Sequence, residues 1–357
     1  MSIPQFALFG HGLPIGRASE AGRLQHCLEQ DGDCLIAGVP RSGRTALVRA
    51  VTQSLGGYCL EVDCLRATNN QRFLALYLDA IATAFTAPLE REQLRDWAIE
   101  HRISLQDEPT AFKFELGSSS RERQLSTAIL ALPQALAERF EQRVVVMFRN
   151  FSHLQTWDRK GHWEAQLRGE IARQTQVCYA LIATAAEPWA IASGLEIIAL
   201  NPLSQTTIEQ WLDQQFADLG YGFSPEALQA FWAATQGHPG ETETLARRLW
   251  LLQPSLTIER SQVDAAVDLL LEDLALTFES LLLLLPTSQV RLLESLAIDP
   301  TSSPQAQQYI QKHQLSRGGG LQGALNSLMQ KGLIYGPESG YQIALPLFGQ
   351  WLRRRVS

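Results

Sequence analysis

Residues 34–55 read CLIAGVPRSGRTALVRAVTQSL: a short apolar run, a loop bounded by Gly38 and Gly43, and then the apolar spacing of a helix. The loop follows the pattern G-x-x-x-x-G-K-[ST] with one exchange, Arg44 in place of lysine. Glycines at the two ends let the backbone turn tightly with its N–H groups inward, and the following helix turns its positive N-terminus on the same point. Gly38, Val39, Pro40, Arg41, Ser42, Gly43, Arg44, Thr45 and Ala46 are therefore the candidate phosphate cradle, and the Thr45 hydroxyl is the candidate magnesium ligand. Arginine keeps the positive charge of the lysine but is a larger planar fork, so it presents that charge at a different point.

A strand that ends in such a loop calls for a parallel sheet, and the sequence continues to supply one. YCLEVD (58–63) reads as a second strand and QRFLALYLDAIATAF as its helix; RVVVMF (143–148), VCYALIATA and LEIIAL read as further strands with helices between them. A polar, charge-mixed stretch over about 88–123 interrupts the alternation as an insertion or a loose helix-and-loop connection. Residues 1–201 are thus expected to form a P-loop NTPase-like α/β domain, a parallel sheet with helices on both faces and ligand chemistry at the carboxyl ends of its strands. Past Asn201 the strands cease. Three helices over 202–260 suggest an all-α lid, an apolar helix over 261–285 a linker, and three short helices with a two-stranded ribbon over 286–357 a winged helix-turn-helix.

Hydrolysis of a bound nucleotide needs a carboxylate at the end of a neighbouring strand to hold the magnesium shell, usually with a second to orient water. The strand VVVMFRNF offers Arg149 and Asn150 in those places. Neither acts as a general base, and arginine repels a metal. Asp63, at the end of the second strand, and Asp158, further on, are the remaining candidate acids; the alternative for both is a solvated carboxylate at a strand end or loop.

The composition, 45% apolar and 19% charged, is that of a globular chain. No apolar run approaches the ~18 residues of a membrane span, and the N-terminus lacks the basic start and long apolar core of a secretion signal. Three of the five cysteines, Cys34, Cys59 and Cys178, fall in strands, and Cys59 and Cys64 lack a second pair for zinc, so a cytoplasmic protein without a structural metal is expected. The net charge of −7 argues against wholesale wrapping of nucleic acid, but from Pro286 onward seven basic side chains face three acidic ones, leaving −11 on the remainder.

Several weak motifs recur in one order along the chain, and together they resemble the AAA+-related STAND ATPases of the archaeal-ATPase-like group. PIGRASEAGRLQHCLE resembles that family's opening motif, with Ile15, Gly16, Arg17 and Glu20 in pattern; GVPRSGRTALV resembles its phosphate loop; LIATAAEPW resembles its sensor strand, with Thr184 at the polar position. GHPGETETLARRL is similar to the lid motif, with His238 and Pro239 in place, and ALNSLMQKGLI with YQIALPLFGQWLRR is similar to the winged-helix ending. The resemblance implies binding of ATP or ADP, with magnesium, contacts to adenine from residues 15–17, a phosphate contact from His238, and hydrolysis. Arg44, Arg149 and Asn150 depart from the pattern, so the expectation is a degenerate Walker site that hydrolyses ATP poorly or not at all.

His238 equally fits a cap on the lid helix before Pro239. In the winged helix, Gln322 and Asn326 are candidate base readers, and Arg317 and Lys331 candidate phosphate contacts. The set is thin and the turn GPES carries no cation, so docking to a protein partner or self-inhibition stands ahead of DNA binding. The function expected is a regulatory switch or scaffold acting through the winged helix, with homo-oligomerisation open; an active ATPase using Arg44 and a relocated acid, or a DNA-binding regulator, are the alternatives. Trp211, Trp232 and Trp250 sit at core-like helical positions and read as packing.

Overall fold

The computed structural model describes residues 6, 8, 12–108, 111–115, 122–185, 190, 193–253, 255–315, 319–337 and 340–356. Five strands, β1 (Cys34–Ala37), β2 (Tyr58–Asp63), β5 (Val144–Arg149), β6 (Val177–Ala183) and β7 (Glu196–Ala199), pair in parallel in the order β2-β5-β6-β1-β7. The apolar runs go where burial on both faces demands them. β1 and β6 are buried throughout and β5 in all but its last residue, whereas β2 and β7 at the edges are buried only in part.

Alternation along the strands divides the core in two. Val145, Met147, Ile36 and Ile182 face α1 (Ala18–Glu29) and α2 (Arg44–Ser54). Val144, Val146, Phe148 and Tyr179 face α3 (Asn70–Ala84), α5 (Glu122–Phe140), which runs through Pro133, and α6 (His162–Ile171). Phe148 is the hub of the second face, its ring centroid 5.6 Å from that of Phe73, 6.1 Å from Tyr77 and 5.8 Å from both Phe151 and Tyr179.

The charged stretch after residue 88 is more ordered than its composition suggests. It forms α4 (Pro88–His101) and an antiparallel hairpin of β3 (Ser104–Glu108) and β4 (Ala111–Glu115), anchored by buried Leu94, Trp97, Ile103 and Phe114. The signal was the period-two pair Phe112 and Phe114, short and embedded among charges.

Beyond the sheet come α7 (Gln205–Ala217), α8 (Pro225–Thr235), α9 (Pro239–Leu251) and the long α10 (Arg260–Leu283). Strands do not cease altogether here: β8 (Gly222–Phe223) and β9 (Thr257–Ile258) make a two-residue parallel pair that ties the start of α8 to the start of α10. The chain ends in α11 (Thr287–Ile298), α12 (Gln307–Lys312), α13 (Gly319–Gln330) and α14 (Pro346–Val356). The expected ribbon is present but short: Ile334 pairs antiparallel with Ile343, flanked by bonds from the Tyr335 N–H to the Gln342 carbonyl and from the Ala344 N–H to the Leu333 carbonyl, and a further bridge joins Thr301 to Tyr341.

Lid, long helix and terminal helices share one continuous core, in which Trp211, Phe231, Leu245, Val263, Leu325 and Phe348 are all buried. Trp232 and Trp250 pack against its margin. The α10 helix is therefore a packed element on both sides.

Phe148→Ala should cost about 3–5 kcal/mol of unfolding free energy, the usual range for emptying a large aromatic from a close-packed core. Urea denaturation reads this directly, and a loss below about 1 kcal/mol would contradict the assignment of Phe148 as the hub of that core.

Candidate functional site

The loop between β1 and α2 turns through two left-handed residues, Arg41 with φ +61° and Gly43 with φ +96°. Such a turn aims successive N–H groups into one hollow. Gly38 is required by contact: a Cβ there would lie 2.7 Å from Ser42 Oγ and 3.2 Å from Leu200 Cβ. The α2 helix begins after Gly43 without a side-chain cap, so its first N–H groups are not claimed by one. Ser42 is buried, and its hydroxyl has no partner among the described residues. A cradle with an orphaned hydroxyl inside it and an uncapped helix behind it fits a phosphate group.

Arg17 fastens the loop from behind. It is 2% exposed, with Nη1 2.9 Å from Glu20 Oε1 and Nη2 donating to the Ser42 carbonyl at 3.4 Å. Burial lowers its affinity for a proton, partly offset by Glu20. Gly16, with φ +71°, brings this segment against the lid, where a Cβ would meet Thr207 Cγ2 at 2.8 Å. Ile15 packs against the lid core.

Arg44 lies back along the sheet edge, its Nη1 donating to the Ala183 carbonyl at 2.6 Å. Burial and then the nearby positive charge of Arg149 bring its pKa down to about 10. The acids sit elsewhere. Asp63 is on the outermost strand, three strands from β1 or about 14 Å by strand spacing. Its Oδ1 accepts from Asn150 Nδ2 at 2.9 Å and from the Leu65 N–H at 3.2 Å. Asp158 caps α6 through the Glu164 N–H at 2.8 Å. A magnesium ion beside the loop would thus find Arg149 and not a carboxylate at the end of β5, one strand beyond β6, a donor set that does not fit the metal.

The lid closes on the loop through its own helix start. His238 is buried and neutral: Nε2–H donates to the Pro40 carbonyl at 3.0 Å, and Nδ1 accepts from the Glu241 N–H at 3.2 Å. It therefore caps α9, and in doing so holds the loop. Burial draws its pKa down to about 4, against the Pro40 bond and aided by Arg41. Pro239 follows at the first helical position, where no N–H is needed and its fixed φ starts the helix. Arg41 reaches the same helix, donating to Thr244 Oγ1 at 3.2 Å. Glu241 is buried at the seam, its Oε2 accepting from the Leu347 N–H of α14 at 2.8 Å; burial pushes its carboxyl up to about 8, opposed by that bond and by Arg41.

The winged helix completes the ring. Thr184, just past β6, donates through Oγ1 to the Gln330 carbonyl at the end of α13 at 2.6 Å. Gly332, with φ +69°, sits so close to the loop that a Cβ would lie 2.6 Å from Pro40 Cδ and 3.2 Å from Thr184 Cγ2. Gln330, Gly332, Glu241 and Leu347 were not singled out from sequence. Gly332 after a helix was readable only as a left-handed C-terminal residue; its second role depends on a contact with a loop at the other end of the chain.

Of the candidate nucleic-acid residues, Gln322 and Asn326 lie on α13 away from that contact, whereas Lys331 follows Gln330 directly beside it. Gln322 and Asn326 are exposed and bonded to each other at 2.8 Å, and Gln322 also accepts from Gln305. Lys331 donates to Gln289 at 2.8 Å. Arg317 lies outside the described residues.

Comparison with solved structures fits this geometry. A Walker-type ATPase of Pyrococcus abyssi superimposes over 94% of this chain and 95% of its own, with a TM-score of 0.66 at 15% identity. The chain has the fold of the AAA+ P-loop ATPases. The Aeropyrum pernix ORC2 protein, solved as ADPNP–ADP complexes, matches over 95% of this chain and 94% of its own with a TM-score of 0.57 at 15% identity. The ORC1 protein of the same organism, solved in complex with DNA, matches over 99% and 94% with a TM-score of 0.50 at 14% identity. Residues 276–354 match the family described as a probable winged helix domain, so that match begins inside α10 and not at residue 286. No curated protein matches the sequence. Among the described residues no helix is long and apolar enough to cross a membrane.

Two titrating groups at the seam, Glu241 and His238, give the stability of the fold a pH signature, and Asp33, which burial raises to about 6, acts in the same sense as Glu241 below that pH. Glu241 titrates near 4.5 when unfolded and about 8 when folded, so the native state holds the extra proton and loses stability as pH rises through that interval. His238 moves from 6.5 to about 4, so the unfolded state holds the extra proton and stability rises with pH from about 4 to 6.5. The two offset one another where the intervals overlap, and Glu241 acts alone above 6.5. The stability of Glu241→Gln relative to the wild type should therefore climb between about pH 5 and pH 8 and then level off; a difference independent of pH would show that Glu241 is not held protonated.

Proposed function

We propose that the chain is a nucleotide-responsive switch: it holds ATP or ADP in the loop, hydrolyses it poorly or not at all, and reports the state of the loop through the winged helix. The observation that carries this reading is the docking of the winged helix on the loop itself, Gly332 against Pro40 and the Gln330 carbonyl on Thr184. A ligand that moves Pro40 or Thr184 must move the winged helix, because the contact leaves no slack. Poor turnover follows from the acids: Asp63 and Asp158 are engaged as caps away from the loop, and Arg149 and Asn150 end the strand where a metal-holding pair is needed. The nucleotide complexes of the ORC2 relative support a nucleotide in this fold.

The winged helix, once released, meets a protein partner in this reading, and a second copy of the chain is one form such a partner takes. A second reading, a DNA-binding regulator, is favoured by the exposure of Gln322 and Asn326 on the free half of α13 and by the relative solved with DNA. Binding that weakens steeply with salt and with Lys331→Ala separates it from protein docking.

Two measurements test the switch. Steady-state ATP turnover should not rise above a protein-free control, and sustained turnover abolished by Arg44→Ala would contradict the reading. Gly332→Ala, which strains a left-handed residue and drives a methyl into Pro40, should free the winged helix and speed limited proteolysis between α10 and α13. An unchanged cleavage pattern would remove the docked state from the account.

A further inference from the structure

We propose that the site takes the phosphates of a nucleoside di- or triphosphate without a divalent cation, with Arg149 and Arg44 supplying the positive charge that a metal supplies in other phosphate loops. The inference rests on the nucleotide reading above and specifies the form of the ligand.

The placement of Arg149 comes from the strand. Val145 and Met147 face the α1 and α2 side of the sheet, and the period of two puts Arg149 on that same face at the carboxyl end of β5. Only β6 lies between β5 and β1, and the carboxyl end of β6 is where Arg44 makes its bond to the Ala183 carbonyl. The two guanidiniums are near enough for Arg149 to disfavour the charged form of Arg44. Like charges converging on a partly buried edge are costly unless an anion joins them.

No carboxylate of the protein fills that role among the described residues. Asp63 is paired with Arg149 in strand register and lines a cleft with it, together with Glu61 and Asp79, yet its Oδ1 is taken by Asn150 and Leu65, and among the described residues no ion pair joins any of these carboxylates to Arg149 or Arg44. A second and independent observation points to a ligand: the Ser42 hydroxyl lies inside the loop on a residue only 1% exposed, and has no partner among the described residues. In the proposed site the cradle and its orphan hydroxyl take the phosphates, and Arg44 and Arg149, at the carboxyl ends of β6 and β5, supply the charge. Magnesium, which needs carboxylate and water oxygens around it, would have to approach two guanidiniums. In this site the metal competes for the phosphates in solution and contributes nothing on the protein.

The test is calorimetric titration of the full chain with ATP and with ADP, in EDTA and in excess magnesium. Binding should be at least as tight in EDTA as in magnesium. Arg149→Asp should weaken binding in EDTA by about tenfold or more, about 1.4 kcal/mol, and should let magnesium recover it. Arg149→Gln should weaken binding in EDTA without recovery by magnesium, and melting temperatures of both variants identify any loss due to misfolding. Wild-type binding that requires magnesium overturns this inference and leaves the nucleotide reading standing. No binding in either condition overturns both. Unchanged binding of a folded Arg149→Gln in EDTA removes Arg149 from the site and overturns the inference.

Discussion

Everything in this fold converges on the backbone of residues 38–40, and it does so because two glycines allow surfaces to touch there without side chains between them. Gly38 lets the loop fold onto Leu200 and Ser42, and Gly332 lets the winged helix lie on Pro40. Between them the Pro40 carbonyl accepts the His238 N–H, which fixes the lid. Sheet, lid and winged helix thus contact one short peptide from three sides. The missing Cβ at these points lets the surfaces meet and makes the loop a joint as well as a cradle.

The electrostatics around the joint follow from burial. His238 stays neutral because one ring nitrogen must accept from Glu241 while the other donates to Pro40, an arrangement that a protonated ring cannot make. Glu241 is held at the seam with the winged helix by a single N–H, that of Leu347, and by the charge of Arg41. Arg17 is buried behind the loop at a cost that Glu20 partly offsets. Several desolvated groups in one small volume make the joint sensitive to anything that brings charge or water into it.

The sheet was legible because its strands announce themselves: VVVMF and VCYALIA are apolar without interruption and bounded by polar helices. The loop was legible because its spacing is a chemical requirement. The β3–β4 hairpin was hidden, since two phenylalanines in a charged stretch carry too little periodicity to outweigh composition. The ribbon of the winged helix was legible as two apolar runs around a turn, and it pairs over residues 333–335 and 342–344. Least legible were the contacts that make the site. Thr184 could be placed at the end of a strand from sequence, but its bond to Gln330 joins residues far apart in the chain, and local pattern has no access to such a pair. The replacement of an acid by Arg149 was visible at once; that it shares a face with Arg44 required the register of the sheet.

The central claim is that nucleotide in the loop and the winged helix on the loop are coupled, so the most direct measurement follows amide hydrogen exchange of residues 328–335 as ATP is added. These amides lie at the end of α13 and in the turn that rests on Pro40 and Thr184. Coupling predicts that their protection changes in step with occupancy of the loop, reaching its limit when the loop is saturated. Protection that stays constant while ATP demonstrably binds would mean that loop and winged helix are merely neighbours, and would contradict the account.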